Sequence, residues 1–133
     1  MTRALIRDVK PSQLKVLKDH VAQEKRALQS NNASERVELL GDFHVRMAEL
    51  TGNDVLARML GELISRCSLI TLMYQSAPAA QHSADEHADI VKALAAKDEA
   101  TAVRLMTEHL LHVEENLVFD RKLPTNDISL ALS

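Results

Sequence analysis

Five stretches of this chain repeat apolar residues at steps of three and four, and almost nothing in the sequence interrupts them. Glycine and proline occur three times each in 133 residues, so long helices meet few breakers. No stretch shows the alternation of a strand, and no internal repeat stands out. The pattern predicts an all-α, antiparallel helical bundle of about five to six helices, in which short loops make sequence neighbours antiparallel. The length suits one domain with a sizeable core. With two Phe, one Tyr and no Trp, that core must be built from Leu, Ala, Val, Ile and Met.

Pro11-Ser12 predicts the opening of a first long helix over 12–29, with Leu14, Leu17, Val21 and Leu28 as its stripe. Asn31-Asn32 breaks it. A second helix over 33–51 carries Val37, Leu40, His44, Met47 and Leu50, with Gly52 closing it and Asn53 capping the next. The third, over 54–76, is apolar around most of its circumference, which predicts the central helix of the bundle and a buried Cys67 thiol. Ser76-Ala77-Pro78 is expected to end it. Ser83-Ala84-Asp85-Glu86 has the form of a capping box, placing the start of a fourth helix at Ser83, with His87, Ile90, Val91 and Leu94 inward as far as Ala96. Asp98 caps a fifth, over 99–121, with Val103, Met106, His109, Leu110, Val113 and Leu117 inward. Residues 1–10 are too few for a stable helix alone, and the tail from Leu123 is expected to be loose.

Charge narrows the function. The net charge is −3, with Lys and Arg spread among acids, so this segment is not expected to grip a phosphate backbone by itself. No apolar run reaches the roughly 18 residues of a membrane span, and the N-terminus lacks the apolar core of a signal peptide. A single cysteine allows no internal disulfide. These features read as a cytoplasmic protein.

Three histidines, His44, His87 and His109, fall on the apolar stripes of three separate helices. Three imidazoles meeting inside one bundle make a divalent-metal site with open coordination positions, suited to Zn, Ni, Mn or Fe. They stand 43 and 22 residues apart, with no HExxH or CxxC cluster. The spacing therefore leaves ligands and hydrogen-bonded core histidines as two open readings. His20, beside Lys18 and Asp19, reads as solvated. His82 stands just ahead of the fourth helix, and His112 shares the flank of His109. Both are candidate effector-binding residues, with Arg66 and Arg58 as candidate cations on the third helix.

The segment Asp42-Phe43-His44-Val45-Arg46-Met47-Ala48-Glu49-Leu50-Thr51-Gly52-Asn53 resembles the FH-x-x-(L/M)-A-x-x-(A/T)-G-N signature of FCD domains, the effector-binding domains of FadR-type GntR transcription regulators. Glu86-His87-Ala88-Asp89-Ile90-Val91-Lys92-Ala93-Leu94 is similar to the family's EH-x-x-(I/L) helix, and Ala102 to Leu110 to its A-x-x-x-M-x-x-HL segment. The resemblance covers roughly residues 3–120. It implies a helical, often dimeric bundle around a polar cavity. It also implies a divalent metal held by an Asp and three histidines (here His44, His87 and His109) and a small carboxylate effector bound at or beside that metal. The family's Asp lies four residues before the first His. Leu40 stands there in this chain, and Asp42 is about 200° away around the helix, so three histidines remain, weaker metal binding or none is expected, and His82 or His112 are candidate replacement ligands. The resemblance further implies an N-terminal winged helix-turn-helix domain that contacts DNA. It is absent from this sequence, which reads as a fragment or a truncated frame: residues 1–122 form the sensor and 123–133 the tail. Two rival readings are a small helical metalloenzyme, whose metal-bound water would be the nucleophile, and a helical interaction module with core histidines.

Overall fold

The structure is a computed structural model that describes residues 2–30, 32–74 and 76–116. The expected loose tail, and residues 117–121 of the fifth predicted helix, lie outside the described residues. Among those described there are six helices: α1 (Thr2–Asp8), α2 (Pro11–Leu28), α3 (Ala33–Leu50), α4 (Asp54–Tyr74), α5 (Ala77–Ala95) and α6 (Glu99–Asn116). The fold is the all-α antiparallel bundle that the periodicity predicts.

Local chemistry sets most boundaries. Pro11 begins α2, where its missing N–H costs nothing, and the Lys10 N–H donates to Gln13 Oε1 at 2.8 Å. Asn32 Oδ1 accepts from the Glu35 N–H at the start of α3, and Asn53 Oδ1 from the Leu56 N–H at the start of α4, each at 3.0 Å. Gly52 between them takes φ 78°, the left-handed conformation that closes α3. Lys97 takes the same role after α5 with φ 58°, unusual for a residue with a Cβ. Its N–H bonds the Leu94 carbonyl, and the Asp98 N–H bonds that of Ala93. Lys97 Nζ then donates to the Ile6 and Val9 carbonyls at 3.2 and 2.9 Å, pinning the end of α1 to the α5–α6 turn.

That tether explains one departure from the sequence reading. α1 is too short to persist alone, yet it is helical because Leu5 and Ile6 are 2% and 3% exposed against the main core. Burying two such side chains contributes on the order of 3–6 kcal/mol, more than local propensity can. The core joins them to Val9, Leu17, Val21, Phe43, Met47, Ile90, Leu94 and Met106.

Two further expectations are corrected. α5 starts at Ala77, not Ser83. Ser76 caps it, accepting from the Ala79 N–H at 3.1 Å, and Pro78 sits in the first turn, where proline opens a helix as readily as it ends one. Ser83 is a buried residue inside α5, and the Glu86 carboxylate turns to other partners. Nor is α4 the central helix. It packs chiefly against α3, and Val55, Met59 and Leu63 on it are exposed, as is Cys67. The centre is formed by α2, α3 and α5. Contact between α3 and α4 is close: a Cβ on Gly41 would lie 2.5 Å from Ile64 Cγ2.

Candidate metal centre

The three predicted histidines converge. His44 comes from α3, His87 from α5 and His109 from α6, and their ring nitrogens lie within 4.8 Å of one another. His87 Nε2 is 3.0 Å from His109 Nε2, which is 3.3 Å from His44 Nε2. His87 and His109 are 1% exposed. Phe43, immediately before His44, stacks on the His87 ring with centroids 4.0 Å apart and planes 10° from parallel, which holds that imidazole in place.

Two carboxylates orient these rings: Glu24, which the sequence reading did not single out, and Glu86, which it read only as a helix-capping residue and part of a motif. Glu24 on α2 accepts from His87 Nδ1 at 2.8 and 3.0 Å. Glu86 on α5 accepts from His109 Nδ1 at 3.1 Å through Oε1 and from His112 Nδ1 at 2.6 Å through Oε2. A proton fixed on Nδ1 leaves Nε2 with its lone pair. The His87 and His109 Nε2 atoms face each other at 3.0 Å. Glu24 carried a faint signal: at i+3 and i+7 from Val21 and Leu17 it continues the buried stripe of α2, an odd place for an unpaired acid.

His20 is corrected from solvated to buried. It is 6% exposed, donates from Nε2 to the Leu39 carbonyl at 2.8 Å and stands 3.5 Å from Glu24. Its charged neighbours in sequence misled because they lie on other faces of α2.

Burial sets the protonation pattern. It pushes the Glu24 carboxyl up to about 7, against the hydrogen bond and charge of His20. It lowers His44 to about 4 and His87 well below the ordinary imidazole range, with the charge of neighbouring imidazoles adding to the effect. His109 is also lowered by burial, which outweighs its hydrogen bond to Glu86. These rings therefore hold neutral, donor-competent nitrogens at ordinary pH.

The donor set fits a metal. An imidazole–zinc bond of about 2.0–2.1 Å puts neighbouring nitrogens about 3.3 Å apart in a tetrahedral shell, close to the separations found here. Carboxylates behind two of three ligands are the usual support for metal-bound histidine. A fourth protein ligand is not supplied by Leu40, which is 6% exposed and packs with Ala80, Ala84 and Leu28. Asp42 belongs to neither donor cluster.

The four candidate effector residues separate into two pairs. His82 and His112 lie together beside Glu86, with ring centroids 5.4 Å apart. Arg58 and Arg66 are exposed on α4. The argument for Arg66 rested on a central α4, and the helix instead packs chiefly against α3.

No helix among the described residues is long and apolar enough to cross a membrane. Searches among curated proteins and solved structures returned no match. The sequence profile of the FCD domain matches residues 1–112, which takes in all three histidines and five of the six helices completely. FCD domains are regulatory ligand-binding domains of transcription factors and are not a known enzyme family. The chain belongs to the FCD domain family, the effector-sensing domains of GntR-type regulators.

Proposed function

We propose that this chain senses a small organic acid at a divalent metal held by His44, His87 and His109, and that occupancy alters DNA binding by the winged helix-turn-helix domain of the full regulator. The observation that carries the reading is the approach of His87 Nε2 and His109 Nε2 to 3.0 Å, each ring backed by a carboxylate at its Nδ1. Two imidazole nitrogens this close share a proton or a common cation, and carboxylates on both Nδ1 atoms favour the cation. A core packed only for stability has no use for that arrangement, which weighs against the interaction-module reading.

When bound, the metal supplies positive charge and an open coordination position for a carboxylate oxygen. The chain's own residues do the rest. Glu24 and Glu86 hold two rings by their Nδ1 atoms, Phe43 blocks rotation of His87, and burial keeps the three imidazoles neutral. Leu40 leaves one ligand fewer than the family pattern, so the acid itself contributes more of the binding. α3, α5 and α6 each provide one ligand, so filling the site ties three helices together. That biases the relative placement of two sensor domains in a homodimer. The sensor extends over residues 1–122 in this reading, and 123–133 is a tail.

A thermal-shift screen of small carboxylates, with and without chelator, tests the proposal. A ligand at 100 times its dissociation constant stabilises the fold by about 2.7 kcal/mol. The expected result is a shift that needs metal and disappears in His44→Ala, His87→Ala and His109→Ala. Shifts indifferent to chelator and to all three substitutions would return the histidines to a core role.

A further inference from the structure

We propose a second, outer divalent-cation site formed by His82, Glu86 and His112 at the rim of the α5–α6 pair. His82 and Glu86 are one turn apart on α5 and share a face, and His112 projects from the neighbouring antiparallel α6. Their donor atoms lie within 4.8 Å of one another. Glu86 Oε2 is 2.6 Å from His112 Nδ1 and 3.8 Å from His82 Nε2. Glu108 and Glu115, one turn either side of His112 on α6, add negative charge around it. Two imidazoles and one carboxylate oxygen form a donor set for zinc, nickel or copper, and a poor one for calcium or magnesium.

The rim differs in kind from the buried set. The His82 and His112 side chains are 58% and 40% exposed, so an ion there keeps water in its shell and exchanges readily. His112 Nδ1 and Glu86 Oε2 lie 2.6 Å apart, and an entering cation takes the place of that direct contact. Glu86 is shared: Oε2 serves the rim, while Oε1 faces His109 Nδ1 at 3.1 Å. The rim donors include none of the three buried ligands, and the two sites meet only at Glu86.

The test is a calorimetric titration of the chelator-stripped full chain with Zn2+, repeated on a His82→Ala/His112→Ala variant and on a His44→Ala variant. Both rim substitutions are at partly exposed positions, and a retained tight event in the double variant also reports an intact fold. Two events are expected in the parent chain, the weaker one losing at least tenfold in affinity in the rim variant and persisting in His44→Ala. A single event lost only in the rim variant supports the outer site and sinks the buried one. Weak binding that survives His82→Ala/His112→Ala, or no event beyond the one removed by His44→Ala, overturns the outer site.

Discussion

Glu24 on α2 and His87 on α5 meet inside the bundle, 63 residues apart in sequence, with the carboxylate oxygens 2.8 and 3.0 Å from Nδ1. Glu24 is 1% exposed, so its charge is tolerable only with His87 and His20 around it. The contact joins a residue with no place in the three-histidine pattern to a candidate ligand, and it fixes which nitrogen that ligand offers.

Glu24→Gln keeps an oxygen acceptor for His87 but removes the charge behind it. Metal affinity is expected to fall about 10–100-fold, the usual cost of losing an outer carboxylate partner. Competition with a chromophoric chelator measures it. Affinity equal to that of the parent chain would show that Glu24 plays no part in tuning the site.

The metal-free protein is expected to melt at lower temperature at pH 5 than at pH 7. His44 titrates at about 4 in the fold, His87 well below its ordinary value of 6.5, and His109 is also lowered. Unfolding returns them to 6.5, so below that pH the unfolded chain takes up more protons at these sites and stability falls as pH drops towards 4. Glu24 opposes this. Its folded value of about 7 exceeds the ordinary 4.5, so it costs stability as pH rises from 4.5 to 7. His20, raised through Glu24 and the Leu39 carbonyl against its own desolvation, acts in the same sense as Glu24. Asp42 and His112 are also raised, and the three lowered histidines are expected to outweigh these opposing groups. Melting curves in chelator from pH 5 to 8 check the sign, and His44→Gln should flatten the slope. A melting temperature that rises on acidification contradicts the assignment.

Gly41→Ala should loosen α4 from α3. The new Cβ would lie 2.5 Å from Ile64 Cγ2, a methyl on a β-branched carbon with little freedom to move. Overpacking costs about 1–3 kcal/mol, against about 1 kcal/mol gained by replacing glycine in a helix. A net loss in melting temperature is expected, recovered by adding Ile64→Ala. If Gly41→Ala alone stabilises the chain, α3 and α4 are not so close.

Leu40→Asp restores the carboxylate that the FCD pattern carries one turn before His44. Two opposing effects are expected: tighter metal binding, and a metal-free fold weakened because the acid replaces a leucine packed on Ala80 and Ala84. Melting with and without Zn2+ separates them, the metal-induced shift growing as the metal-free value drops. A smaller shift than in the parent would mean that residue 40 does not reach the site.

Periodicity and end signals made much of this molecule legible. Helices expected over 12–29, 33–51 and 54–76 appear as Pro11–Leu28, Ala33–Leu50 and Asp54–Tyr74. Asn53, Asp98 and Gly52 take the terminal roles read for them. Where local signals competed, the sequence misled. Ser83 and Glu86 have the spacing of a capping box, but Ser76 with Pro78 won the start of α5, and Glu86 went to His109 and His112. The apolar girth of α4 suggested a centre, yet apolar content does not say which neighbour will cover it.

The sequence by itself determined that the chain is a helical bundle and that His44, His87 and His109 lie on the inward stripes of three helices. Those properties follow from the 3.6-residue period, which is local. The tertiary structure decided which groups stand behind the rings: Glu24 behind His87, Glu86 behind His109 and His112, and His20 turned inward beside Glu24. Such pairings depend on the rotation and offset of whole helices against one another, which no short stretch of sequence encodes. They also decide the chemistry, because a carboxylate on Nδ1 is what aims Nε2 at the centre.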